Sequence, residues 1–240
     1  MILSSFLLTF ALSLQMAAAV EWPDISTPIE QPSAQSVDHV LVISIEDYEL
    51  LSPVRNASVT AEAWTSYFTQ TQGVPAEQIT WLSNADATKG QISAQIKRLS
   101  KKVGKQGKLW VVFIGHGITM YDDGTGAILP YESSDTPRDL YNQAIELSEL
   151  STLLGRAESK SIVVLDTSFT ALDRQGRLLL DTLPEQAGVK PVVGRKATVV
   201  SAVQPNEYAR QVENHQPALS YVLLGALRGW ADADSDGFVT

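Results

Sequence analysis

The chain has 240 residues, 44% of them hydrophobic, with 27 acidic against 18 basic side chains and a formal net charge of -9 at pH 7. This length suits one globular domain with a large core, and the acidic balance argues against nucleic-acid binding, which normally needs a basic surface. The sequence contains no cysteine, which excludes disulfides and a lipid attached to cysteine.

Residues 1–19 are predicted to form a signal peptide. Their apolar stretch is followed by Ala17, Ala18 and Ala19, the small-residue pattern of a cleavage site. The stretch is short for a membrane anchor, and a buried N-terminal helix is the alternative. We therefore expect export to the periplasm or the cell exterior, no stable membrane anchor after leader removal, and a flexible lead-in over residues 20–37.

The first half of the predicted domain, residues 38–230, alternates strands with helices. Continuous apolar runs over residues 40–45 and 109–114 suit buried strands, and a further strand is predicted over residues 78–82. The first intervening helix has an apolar face of Ala57, Ala61, Trp64 and Phe68. The second begins with a capping box and has an apolar face of Ile92, Ile96, Leu99 and Val103. This order predicts a parallel sheet covered by helices on both faces.

The second half continues the same pattern. A helix is predicted over residues 146–154. Strands are predicted at residues 161–165, a short run that is mostly apolar, and at residues 198–202. A last helix over residues 218–230 has its expected core side at Leu219, Val222, Leu223 and Leu227. The predicted fold class is α/β, with a mainly parallel central sheet.

Polar side chains follow two of these strands where each strand ends. His116 lies between two glycines after the run at residues 109–114, and Asp166 and Ser168 follow the run at residues 161–165. Ligands of open α/β sheets bind at the carboxyl ends of the strands, so these side chains would share one edge. A hydroxyl and an imidazole on adjacent strand ends form a catalytic arrangement, although His116 alone would equally fit a strand-to-loop corner.

The two strand ends resemble those of the caspase-like peptidases, in particular the metacaspase-like and bacterial branch. In that family a Gly-His-Gly carries the catalytic histidine and an Asp-x-Cys-x-Ser-Gly carries the catalytic cysteine. Here Ser168 stands in the place of the cysteine, and Thr170 and Ala171 replace the Ser-Gly. The resemblance covers roughly residues 40–230 and implies a caspase-like three-layer sandwich with helices on both faces. It also implies a small hairpin near residues 127–130, between the histidine and the next helix.

The resemblance also implies roles for individual residues. His116 and Ser168 correspond to the catalytic pair, and the N–H groups of Gly117 and Ser168 correspond to the oxyanion donors. Asp166 corresponds to a residue that lines the pocket for a basic side chain, arginine or lysine, of a peptide or protein ligand. Alternatively, Asp166 is a structural carboxylate that accepts hydrogen bonds from loop N–H groups.

Three classes of function stay open from the sequence. A serine hydroxyl needs a well-oriented base to act as a nucleophile, so we favour an inactive or very weak peptidase homologue that binds peptides or regulates proteolysis. The second is an active endopeptidase that uses Ser168 and His116 and cleaves after arginine or lysine. The third is a flavodoxin-like binding protein, disfavoured because no glycine-rich phosphate loop follows Ile45.

The residues near the carboxyl end suggest one cofactor. Asp232, Asp234 and Asp236, with Gly237, match the first half of a calcium loop, in which alternate carboxylates surround the ion. The sequence ends before the twelfth position, where a glutamate is expected, so we favour a solvated acidic tail over residues 231–240, although a longer natural chain would be able to complete the loop. Apart from Ca²⁺, the sequence indicates no cofactor.

Overall fold

The computed structural model describes most of the predicted domain. The described residues are 25, 35–121, 124–170, 172–179, 197–203, 209–212 and 217–233. The predicted signal peptide, Ala171, Asp234 and Asp236 lie outside them, as does most of the predicted lead-in. Within the lead-in, Ile25 is buried in the same apolar cluster as Trp64, which anchors this one residue to the domain.

Strands and helices alternate along the described chain. The strands are β1 (His39–Ser44), β2 (Ile79–Ser83), β3 (Lys108–Ile114), β4 (Gly117–Thr119), β5 (Gly126–Ile128), β6 (Ile145–Glu146), β7 (Lys160–Asp166) and β8 (Ala197–Ser201). The α-helices are α1 (Ala57–Ser66), α2 (Lys89–Lys102), α3 (Pro137–Gln143), α4 (Leu147–Leu154) and α5 (Ala218–Gly225).

Five of the strands form the central sheet, in the order β2-β1-β3-β7-β8. All of its pairings are parallel, as the βαβ pattern predicted. The central strand β3 runs beside β7 over its whole length, so that Ile114 pairs with Asp166. Because these two strands end at the same level, the residues that follow them emerge together at one edge of the sheet.

Side chains alternate between the two faces of this sheet, as the pleat of a strand requires. Leu41 and Val111 lie on one face and pack in a cluster with α2 and α4. Val42 and Val112 lie on the other face and pack with α1 and α5. The strands are apolar on both faces because each face is covered by helices. The molecule is therefore a three-layer α/β sandwich, as expected.

A small second sheet lies directly after the predicted catalytic histidine. Its three antiparallel strands have the order β4-β5-β6, and Gly117 of β4 pairs with Ile128 of β5. This sheet includes the hairpin predicted near residues 127–130. Glu146 belongs to β6, so α4 begins one residue later than the sequence pattern indicated.

The last helix differs from its prediction in the face that it buries. Ser220, Tyr221 and Leu224 are buried, whereas Val222, expected on the core side, is 55% exposed. The prediction for Val222 was wrong because Ser220 forms hydrogen bonds with other elements, which turns its side of the helix inward. A π-helical turn, Ala226–Trp230, continues from α5. None of the described helices has the length and apolarity needed to span a membrane.

Candidate active site

The carboxyl ends of β3 and β7 border a cavity of about 180 Å³. The predicted site residues His116, Asp166 and Ser168 all line it, so the structure brings them together. The loop after β1 and the segment at residues 209–212 contribute to its walls. Its apolar lining consists of Pro53, Val54, Leu172 and Pro217, together with the Ala209 methyl group.

The ring of His116 is oriented by the loop that follows β1. Its Nε2 lies 2.8 Å from the carbonyl oxygen of Ser52 and 3.1 Å from the Ser52 Oγ. A carbonyl oxygen only accepts hydrogen bonds, so Nε2 carries the ring proton. Burial lowers the pKa of His116, with the Ser52 hydrogen bond opposing it, and the imidazole is neutral at pH 7. Nδ1 is therefore the unprotonated nitrogen that is able to act as a base.

Tyr48 fixes the backbone of the same histidine. Its hydroxyl accepts a hydrogen bond from the His116 N–H at 2.8 Å and donates one to the carbonyl of Leu129 at 3.0 Å. The two rings lie 5.0 Å apart between centroids. Burial raises the pKa of Tyr48 far above its usual value, so the phenol keeps the proton that it donates.

Ser168 is half-buried beside the cavity, but it is not bonded to His116. No described residue forms a hydrogen bond with its Oγ. Its carbonyl oxygen accepts hydrogen bonds from the Gly117 N–H at 3.0 Å and the Thr167 hydroxyl at 3.2 Å. The Gly117 N–H is thus engaged in this structure, and it becomes available to an oxyanion only if the peptide bond after Ser168 rotates. The oxyanion roles of Gly117 and Ser168 stay predictions.

Asp166 joins the sheet to the last helix. Its Oδ2 accepts the Ser220 N–H at 2.7 Å, and the Ser220 Oγ in turn accepts the Trp64 indole N–H at 2.9 Å. Pro217, at the start of α5, provides no side-chain cap, so Asp166 takes over this function from another element. Burial raises the pKa of Asp166 to about 6, opposed by the Ser220 hydrogen bonds. Asp166 is therefore structural and also lines the cavity.

The calcium prediction is not tested by the described residues. Asp232 is described and its N–H donates to the carbonyl of Gly229, whereas Asp234 and Asp236 fall outside the described residues. Within the described ranges, no three acidic, histidine or cysteine side chains are grouped so as to hold a metal ion.

Sequence reasoning missed three residues of this site. Ser52 and Tyr48 hold His116, and Arg210 lines the cavity. None of them belongs to a recognisable motif. The available signal was position, because the loop after β1 leaves the sheet at the same edge as His116 and therefore has to border the same site.

Comparison with known proteins supports the fold. No sequence profile of a protein family and no curated protein matches the chain. Caspase-1 from Spodoptera frugiperda superimposes with a TM-score of 0.50 at 13% identity, covering 84% of this chain and 75% of that one. Protein GSU0716 from Geobacter sulfurreducens gives 0.40 at 16% identity over 55% of this chain, which spans about half of that protein.

The described domain therefore has a caspase-like fold. Its sheet order is also that of flavodoxin-like proteins, so the order alone does not separate the two classes. The structural similarity to caspase-1 identifies the fold as the caspase-like sandwich. At 13% identity this likeness concerns the fold, and the metacaspase-like branch and the roles of His116, Ser168 and Asp166 stay predictions.

Proposed function

We propose that this protein binds a basic residue of an extended peptide in its caspase-like cleft and cleaves the peptide very slowly or not at all. The observation that carries the proposal is Asp166, which is 4% exposed and lines the cavity of about 180 Å³. Small-molecule pockets usually measure about 300–1,000 Å³, so this cavity suits a single side chain.

The lining of the cavity fits arginine or lysine. Its apolar residues, among them Val54 and Leu172, suit the methylene stem of such a side chain, and Asp166 suits its charged end. A cation beside Asp166 would favour the ionised carboxylate and offset the rise in its pKa that burial causes. The net charge of -9 would also attract a basic ligand from a distance.

The surroundings of Ser168 support the absence of efficient cleavage. A serine nucleophile depends on a base that is held by a third group, commonly a carboxylate. The partner of His116 Nε2 is the neutral Ser52, and the Ser168 Oγ forms no hydrogen bond with His116. The Gly117 N–H, which would stabilise an oxyanion, is bonded to the Ser168 carbonyl.

An active serine peptidase is the second candidate function. The observation that favours it is the state of His116, whose unprotonated Nδ1 would accept a proton from a hydroxyl brought within reach. His116 and Ser168 line the same cavity, so both groups face one binding space.

Cleavage assays separate the two candidates. We expect the wild-type protein to leave peptides with arginine, lysine or aspartate before the scissile bond intact, with or without Ca²⁺. Ser168→Cys should cut slowly after arginine or lysine, because a thiol is a far stronger nucleophile at neutral pH than a hydroxyl, while the backbone bond from the Gly117 N–H stays in place. Adding His116→Ala to Ser168→Cys should abolish that cleavage.

Two other outcomes decide against parts of the proposal. Cleavage by the wild-type protein that disappears in His116→Ala would establish the serine peptidase instead. Silence of a folded Ser168→Cys on every peptide would show that the cleft is not a peptidase site lacking only its nucleophile.

A further inference from the structure

We propose that the cleft recognises the carboxyl-terminal residue of a basic peptide, with the free α-carboxylate bound by Arg210. This inference rests on the proposed function, because it assumes that the basic side chain of the same residue is held at Asp166. It goes further by specifying a chain end instead of an internal residue.

Arg210 is placed at the cavity by a fixed piece of backbone. The N–H of Ala218 donates to the Arg210 carbonyl at 3.0 Å, and Gln211 forms a β-bridge with Pro217. The segment at residues 209–212 is thus fastened to the start of α5, the same place that Asp166 caps. Arg210 itself is exposed and lines the cavity, and no described residue bonds to its guanidinium.

The charges around the cavity match a ligand residue that carries one positive and one negative charge. Within the described part of the chain, Arg210 is the one cationic side chain that lines the cavity, since His116 is neutral. Asp166 is the acidic side chain in the same lining, and the two do not form a salt bridge. A terminal arginine or lysine offers a cation at the end of its side chain and a carboxylate on its backbone.

A chain end fits this site better than a residue within a chain. After an internal residue the backbone continues as a neutral amide, which gives Arg210 no charged partner. A carboxylate accepts two parallel hydrogen bonds from one guanidinium. The hydrogen bond of the Gly117 N–H also favours a chain end. Because this N–H is bonded to the Ser168 carbonyl, it is not free to bind the carbonyl oxygen of a scissile bond. A terminal carboxylate, in contrast, finds its hydrogen-bond donor in Arg210.

Free arginine or lysine carries the same two groups as a peptide end. The apolar cavity lining does not distinguish these two sources, because both present one basic side chain and one α-carboxylate. We commit to the peptide end, since the cavity opens at the edge of the sheet where an extended chain is able to continue outward.

Calorimetry at pH 7.5 and low salt tests the inference. The ligands are acetyl-Ala-Ala-Ala-Arg with a free carboxylate, the same peptide as an amide, and free L-arginine. We expect the acid to bind the wild-type protein about tenfold more tightly than the amide, the strength of a charge-assisted contact. Arg210→Gln should reduce this ratio to about one, whereas Arg156→Gln, an exposed arginine after α4, should keep the wild-type ratio.

The other outcomes of this experiment separate a failure of the inference from a failure of the proposed function. Equal affinities of acid and amide for the wild-type protein would overturn the inference and leave the proposed function standing. Failure of both peptides to bind would overturn both. Free L-arginine binding as tightly as the peptide acid would overturn recognition of a peptide end. Thermal unfolding of Arg210→Gln shows whether the variant is folded, which its exposed position leads us to expect.

Discussion

Replacing Asp166 with asparagine should raise the free energy of unfolding by about 3 kcal/mol at pH 7.5 and by little at pH 4. In the folded protein the pKa of Asp166 is raised from its ordinary value of 3.8 to about 6 by burial. Between these values the unfolded chain releases its proton while the folded protein retains it, so stability falls as the pH rises through this window. Asparagine stays neutral and keeps an acceptor for the Ser220 N–H.

Urea unfolding at pH 4, 5, 6 and 7.5 measures this effect. The difference between Asp166→Asn and the wild-type protein should grow between pH 4 and pH 6 and then become constant. Asp135→Asn, made on an exposed aspartate, controls for the substitution itself. A difference that does not change with pH, or a variant that is less stable at pH 7.5, would show that Asp166 is not a costly buried charge.

Replacing Phe169 with alanine should lower the free energy of unfolding by about 3–5 kcal/mol, the usual cost of removing a fully buried aromatic ring. Phe169 is 0% exposed and directly follows Ser168. Its ring packs against two glycines, since a Cβ built on Gly117 or Gly126 would lie only 2.9 or 2.8 Å from it. The ring thus fixes the backbone of Ser168 against the small antiparallel sheet.

A double-mutant cycle tests the contact between Phe169 and Gly126. Gly126→Ala should cost about 1–3 kcal/mol in the wild-type protein because its methyl group collides with the ring. The same substitution should cost less in the Phe169→Ala background, where the ring is gone and the Leu147 side chain, 3.1 Å from the added Cβ, stays in place. Additive costs, or a loss below about 1 kcal/mol for Phe169→Ala alone, would mean that the packing around Ser168 is not set by this ring.

Much of the fold follows from local patterns in the sequence. Continuous apolar runs predict β1, β3 and β7 because strands covered on both faces need apolar residues at every position. Helix α3 has no such pattern, since Leu140 is its one buried residue. The buried face of α5 depends on hydrogen bonds of Ser220 to Asp166 and Trp64, which no local periodicity encodes.

The candidate site was predictable only in part, for the same reason. The side chains that follow strand ends, His116, Asp166 and Ser168, were identified because parallel strands bring them to one edge. The groups that orient His116 come from distant parts of the chain. Tyr48 bridges His116 and Leu129, which are 68 and 81 residues away in sequence, and such contacts arise from the tertiary structure.

The most direct test of the proposed binding function compares an arginine peptide with its neutral counterpart. The ligand is a peptide, capped at both ends, with one internal arginine, and its partner has citrulline at that position, which keeps the shape and removes the charge. Binding is measured by calorimetry at pH 7.5 with the wild-type protein and Asp166→Asn. We expect the wild-type protein to prefer arginine by about tenfold or more, and Asp166→Asn to lose that preference. Equal binding of both peptides to the wild-type protein would contradict recognition of a basic residue by this cleft.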